Sequence, residues 1–427
     1  MAGWQELMWQ PQFFSGLPKK YRRPGRYLAY LPDKIADAPL KIPPELGKKI
    51  AKAEAAVVRL NEHEKDLSGI SRFLLRSEAI ASSLIEGIAP SGRQVAMAEL
   101  SGVESEATAS QQAKLVANNM TILERARTTI IDAESVSVEH LVEMQKALLL
   151  DELPKQDIRT VQNWIGGNSY SPLDAEFVPP QPERVEEYLE DLVAYMNTAT
   201  HSALVQAAIV HAQFETIHPF IDGNGRVGRA LIYVVLARRG LVRSAILPVS
   251  MVLATFSQRY VQGLSAYRYD GQVGSSAFHS ARSYWIEVFA EAILASCTQA
   301  SELAADISAA RASWVERVSQ YRESKGMARQ PRANSAVAVI LDGLPATPVL
   351  SALTAQRIYK ISHVAAGKAL DELTEAGILS TNKSKRRTYY RADEILDILN
   401  IAERALASTR FDTRVSSPTR SVPSRRG

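Results

Sequence analysis

Cysteine is almost absent. Cys297 is the single one in 427 residues, which excludes a disulfide framework and any cysteine-built zinc site and fits a reducing compartment. Long hydrophobic runs are missing too. The most apolar region, around Ala230 to Phe256, is broken by Arg238, Arg239 and Arg243, and no stretch reaches the ~20 apolar residues that a membrane span requires. The opening MAGWQELMWQPQFFSG has no basic segment ahead of an apolar one, so no signal peptide is read there. The expectation is a soluble cytoplasmic protein with no membrane partner. Charge of one sign is also scarce. The chain carries +4, yet from Arg404 onward six arginines face one aspartate, a net of +5 that leaves −1 for everything before it. That end, RVSSPTRSVPSRRG, has too little apolar surface to fold and is expected to be a disordered basic tail.

What the chain does have is apolar content of 46%, ample for packed cores, in a length that suggests roughly two or three domains. No internal repeat is found. Residues 1 to about 45 are rich in proline and aromatics and read as an extended arm. From Pro44 to about Ile88 apolar residues recur every three or four positions, as at Leu46, Ile50, Ala53, Val57 and Leu60, which predicts helix, with Gly87 as its stop. Two more helices are expected over 109–128 and 136–150. TVQNWIGGNSYSPLDAEFVPPQP then places strand-forming residues on both sides of a Gly/Asn/Ser/Pro turn, the pattern of a β-hairpin or an extended flap. SALVQAAIVHAQFETI and ALIYVVLARRG are helices apolar nearly all round, which belong at the centre of a bundle. Helical patterns persist to about Lys325 and give way to a linker, ESKGMARQPRANS. Residues 333 to 400 change rhythm: helices, then two short strands around the basic loop NKSKRR, the order of a winged helix-turn-helix.

The twelve residues HPFIDGNGRVGR, 218 to 229, join the two apolar helices. A new helix is expected to begin near Gly225 or Arg226, and the first turn of a helix presents unpaired N–H groups and the positive end of the dipole. Gly223 and Gly225 let backbone approach a ligand closely, so this turn suits phosphates. Arg226 and Arg229, three apart, share a face and together fit a polyphosphate. Asp222 is the candidate ligand for a Mg²⁺ that bridges phosphate oxygens. His218 is the candidate base for a hydroxyl proton. Phe220 reads as the anchor of the loop. His201 and His211, on the preceding helix, receive no role.

The segment resembles the signature of Fic-domain proteins, His-x-Phe-x-Asp/Glu-Gly-Asn-Gly-Arg-x-x-Arg, at every specified position. The resemblance implies a mainly α fold: a Fic-type helical bundle with a β-hairpin flap, here followed by a C-terminal winged helix. It divides the chain into an N-terminal arm and helical module (1–105), a catalytic core (106–325), the winged helix (326–403) and the basic tail (404–427). It implies transfer of AMP from ATP to a hydroxyl of a target protein, or of the chain itself, with loss of pyrophosphate. His218 would be the base, Asp222 the Mg²⁺ ligand, and the backbone of Gly223, Asn224 and Gly225 the cradle of the α- and β-phosphates. The Asn224 side chain would touch a phosphate, Arg226 would stabilise the phosphates during transfer, and Arg229 would hold the γ-phosphate. A relative that acts as a kinase has lysine where this chain has Gly225, which favours AMP transfer. SSLIEG, with Ser82 and Glu86 one helical turn apart, is similar to the inhibitory motif of one Fic class, in which Glu86 would pair with Arg229. Asn163, Trp164, Ile165 and Gly166 in the flap would lie beside the nucleotide, and Tyr260 or Tyr267 beside adenine, with core packing the alternative for both tyrosines. Two rival readings stand beside this one: removal of AMP from a modified protein at the same site, and a nucleotide-sensing, DNA-binding regulator. The region expected to read DNA carries Asp371, Glu372 and Glu375, a poor match for phosphates, so dimerisation or target choice is the expected role of that module. Self-association into a homodimer is common among such proteins.

Overall fold

The computed structural model describes residues 1–11, 18, 23–38, 40–62, 70–103, 110–150, 155–198, 200–243, 246–383 and 388–398. The expected basic tail and most of the NKSKRR loop lie outside them.

The chain opens with strands β1 (Gly3–Trp9) and β2 (Gly25–Leu31), paired antiparallel from Gly3 opposite Leu31 to Trp9 opposite Gly25. The extended arm expected for residues 1–45 is therefore corrected to a two-stranded ribbon. Tryptophan, tyrosine and leucine suit its pleated, half-buried surface. An isolated ribbon is marginal in water, and this one is supported by the segment expected to form the flap. The Tyr30 amide donates to the Val178 carbonyl at 2.9 Å, Trp4 stands edge-on to Phe177, and Trp9 edge-on to Trp164.

Helices follow: α1 (Pro44–Glu62), α2 (Ser71–Ile85), α3 (Gly92–Val103), α4 (Gln111–Arg125), α5 (Val138–Leu148), α6 (Pro182–Met196), α7 (Ala203–Ile217) and α8 (Asn224–Arg238). Every residue of α7 from Leu204 to Ile217 is buried, as a helix apolar nearly all round requires, and α8 lies beside it. α3 is an element that the periodicity did not announce. The flap is shorter than a hairpin. Among the described residues it consists of one bridge, between Ile165 and Phe177, and a single 3₁₀ turn at Pro172–Asp174.

Helices α9 (Val249–Thr255) and α10 (Ser257–Tyr267) lead to α11 (Ser276–Ser324), 49 residues long, or ~74 Å at 1.5 Å per residue. Its first half packs in the bundle through Trp285 and Phe289 and its second half meets the C-terminal elements through Trp314 and Val318, all in one apolar core. Those elements are α12 (Ala336–Gly343), β3 (Val349–Leu350), α13 (Ala352–Tyr359), α14 (His363–Glu375), β4 (Ser380–Lys383) and β5 (Thr388–Arg391). β5 is the central strand of their sheet, with β3 and β4 antiparallel on either side. They are fastened back onto α11 by Trp314 to Glu394 at 2.8 Å and by Arg322 to Glu372 at 2.7 Å.

Candidate active site

The site forms where α7 stops. His218 adopts the left-handed conformation, φ 48° and ψ 61°, which is unfavourable for a residue with a β-carbon and must be held by its surroundings. Arg159 holds it. This buried guanidinium donates through Nε to the His218 carbonyl at 2.9 Å and also to the carbonyls of Ile217 and Pro180. The Arg159 amide donates to the Pro219 carbonyl at 2.9 Å. Gly223, at φ +88°, turns the chain into α8. A β-carbon there would lie 2.7 Å from Leu148, so both backbone angle and space call for glycine.

The Asn224 side chain, expected on a phosphate, instead closes the loop on itself. Its Oδ1 accepts from the Phe220 amide at 2.8 Å and its Nδ2 donates to the Phe220 carbonyl at 2.7 Å. Phe220 is fully buried beside Phe214, as its reading as an anchor requires. Asn163 Nδ2 donates to the carbonyls of Phe220 at 2.8 Å and His218 at 3.3 Å. Two carbonyl partners fix which end of that amide is the NH₂ group. The same Nδ2 lies 3.0 Å from His218 Nδ1, and Asn224 Nδ2 lies 3.3 Å from it. His218 Nδ1 therefore accepts, and in the neutral ring the proton resides on Nε2. Burial, and then the cations Arg159 and Arg268, lower the imidazole pKa to about 3.

The cations sit on the first turn and a half of α8. Arg226 is buried; one of its NH₂ groups donates to Asp222 Oδ1 at 3.0 Å, while its Nε and other NH₂ are buried without a partner among the described residues. A desolvated guanidinium with idle donors is costly unless an anion completes it, and burial accordingly lowers its pKa. Arg229 is buried and held by α2. It donates through Nε to Ser82 Oγ at 2.9 Å, and through one NH₂ to the Ser82 carbonyl at 2.8 Å and to Glu86 Oε1 at 2.9 Å. Burial by itself lowers the pKa of Arg229, but Glu86, Tyr260 and Glu215 outweigh it and the net shift is upward. Glu86 caps the end of α2 and reaches over the start of α8, so close that a β-carbon on Gly225 would collide with its Oε1. A carboxylate there meets both Arg229 and the positive end of the helix dipole.

Asp222 is partly exposed, between Arg226 and Lys155, whose Nζ is 3.5 Å from its Oδ2. Among the described residues no cluster of three or more metal-ligating side chains occurs. One carboxylate suits Mg²⁺, which is commonly held by one or two carboxylates together with substrate phosphates.

The flap residues separate. Asn163 joins His218. Trp164 turns away, donating through Nε1 to the Asn168 carbonyl and meeting Trp9. Ile165 uses its backbone on Phe177 and Glu176, and Gly166 is a turn residue at φ +77°. Tyr260 and Tyr267 are core residues, 4% and 1% exposed. Tyr260 stacks on His211 and shares a 2.9 Å hydrogen bond with its Nε2, and the Tyr267 hydroxyl donates to Gln213 at 3.0 Å. The structure places both rings in the core, the packing alternative. His201 is likewise structural, with Nδ1 2.8 Å from the Tyr195 hydroxyl. Sequence reading missed Arg159 and two buried acids. Glu215, whose Oε1 has no partner among the described residues, sits where a β-carbon on Gly228 would strike it, and burial lifts its pKa to about 7. A lone carboxylate in an otherwise apolar helix was the available signal. Glu78, one turn before Ser82, accepts from the Ser250 amide at 2.8 Å.

Residues 135–236 match the Fic/DOC family. Protein adenylyltransferase fic-1 of Caenorhabditis elegans is 32% identical over 140 residues, 32% of this chain and 26% of that protein. Protein adenylyltransferase Fic of Drosophila willistoni is 27% identical over 117 residues, 26% of this chain and 22% of its own. The aligned region thus spans about a quarter of these curated relatives. A solved Fic family protein from Desulfovibrio desulfuricans is similar at a TM-score of 0.49 and 19% identity, over 83% of this chain and 98% of that one.

Proposed function

We propose that this chain is an ATP-dependent protein adenylyltransferase that Glu86 holds in check. The observation that carries the reading is the state of the two arginines. Arg226 presents idle, desolvated donors beside Asp222, whereas Arg229, the other cation on that face, is already neutralised by Glu86. The names of the relatives that match this region point to the same chemistry.

In the proposed reaction a target hydroxyl oxygen attacks the α-phosphorus of ATP. The bond from that phosphorus to the bridging oxygen breaks, pyrophosphate departs, and the hydroxyl proton passes to His218. Arg226 and the free N–H groups at the start of α8 stabilise the charge on the phosphates. A Mg²⁺ held by Asp222 and the phosphates would neutralise the leaving group. With Nδ1 accepting from Asn163, taking up the hydroxyl proton at Nε2 requires the ring to move first to its other tautomer. Positioning governs such transfers. Glu86 on Arg229 displaces the γ-phosphate from its partner and places a negative charge against it, which leaves the α-phosphate out of line.

The test is self-labelling with ATP radiolabelled at the α-phosphate, in the presence of Mg²⁺. Glu86→Gly is expected to raise the label at least tenfold over wild type, and adding His218→Ala is expected to abolish it. Glu86→Gly protein that binds ATP by calorimetry yet takes up no label, alone or onto added proteins from a lysate, would overturn the reading.

A further inference from the structure

The helix that carries Glu86 is also gripped from the far end of the chain. Arg76 of α2, 3% exposed, forms a bidentate pair with Glu99 of α3, Nε to Oε1 at 2.8 Å and NH₂ to Oε2 at 2.9 Å. The same NH₂ donates to the carbonyl of Ala346 at 2.8 Å, in the turn between α12 and β3. Arg72, one turn earlier on α2, reaches Glu99 as well, at 3.4 Å. Helices α2 and α3 are therefore bound into one unit. α3 also packs on the C-terminal sheet: Ala96 and Leu100 form a separate apolar cluster with Val349 of β3 and Tyr389 of β5. Arg76 and Glu86 are ten residues apart on one continuous helix, about 15 Å along its axis, and an α-helix of this length transmits displacement as a rod.

We infer that Arg76 is a positioning residue for Glu86: through it the C-terminal sheet presses α2 into the place where Glu86 meets Arg229, and displacement of the sheet loosens that contact. The inference rests on the reading of Glu86 as a brake. Other restraints on α2 come from the bundle itself, as Glu78 takes the Ser250 amide and Asn119 donates to the Ala79 carbonyl at 3.1 Å. Loss of the Arg76 contact therefore loosens the helix end without unfolding it, and the expected gain in activity is smaller than that from removing Glu86.

Two variants of the full chain approach the junction from opposite sides, Arg76→Met from α2 and Tyr389→Ala from the sheet. Hydrogen exchange over residues 79–88 and self-labelling are measured for each, alone and combined with Glu86→Gly, after thermal melting has shown which variants fold. The expectation is at least threefold faster exchange and at least threefold more label in the folded single variants, and no added label in the Glu86→Gly background, where the brake is already gone. Unchanged exchange in the folded variants overturns the inference, as does label that falls equally in both backgrounds, because the junction is then only structural. If Glu86→Gly itself takes up no label, the brake reading fails and the exchange data alone decide whether the sheet controls α2.

Discussion

Arg229 and Arg226 are neighbours on one helix with opposite fates, and the difference lies in what faces each. Arg229 meets a serine hydroxyl, a backbone carbonyl and a carboxylate from α2, so it stays fixed in place even when Glu86 withdraws. Among the described residues Arg226 donates to Asp222 alone. His218 gives a prediction at the same scale. Its pKa of about 3 lies below the ordinary 6.5, so the neutral, proton-accepting ring persists as pH falls, and activity is lost only as pH approaches that low value. An unperturbed imidazole would lose about tenfold in kcat/KM between pH 7.5 and 5.5, since kcat/KM follows the free enzyme. The Glu86→Gly variant is expected to change less than twofold over that range in labelling measured at low ATP. Residues 218 to 229 were legible in the sequence because base, acid, glycines and arginines are contiguous there. Arg159 was not, because its partners are carbonyls, which every residue carries. For Tyr260 spacing left packing and ligand contact as equal alternatives, because it does not tell how deeply a ring will be buried.

Among the elements, the turn from α7 to α8 decides whether the site exists. Gly223→Ala is expected to cost about 1–2 kcal/mol, because it adds left-handed strain to a contact with Leu148; urea denaturation of the two proteins checks it. The central helices were readable because their apolar pattern leaves little choice. The N-terminal ribbon was obscured by its prolines and aromatics, although Gly3–Trp9 and Gly25–Leu31 have the residue types of strands. The flap was overread. Asn168 accepts the amides of Tyr170 and Ser171, and a side-chain-closed turn of this kind competes with a strand ladder.

At the level of the whole molecule, α11 is the shared support. The change of rhythm near residue 325 was legible as a linker, but the return of the C-terminal elements onto the helix they had just left was not. It depends on Trp314, Arg317 and Arg322 finding Glu394 and Glu372, pairs far apart in sequence with no periodic signal.

That return has a consequence for a broken chain. The exposed stretch after α11 holds Lys325 and Arg329, natural points of tryptic attack. A molecule cut there is no longer one covalent piece, yet the contacts across the cut remain. The two fragments are expected to elute together from a size-exclusion column and to part only in denaturant. A clean separation under native conditions would show that the peptide link, not the interface, keeps the halves together.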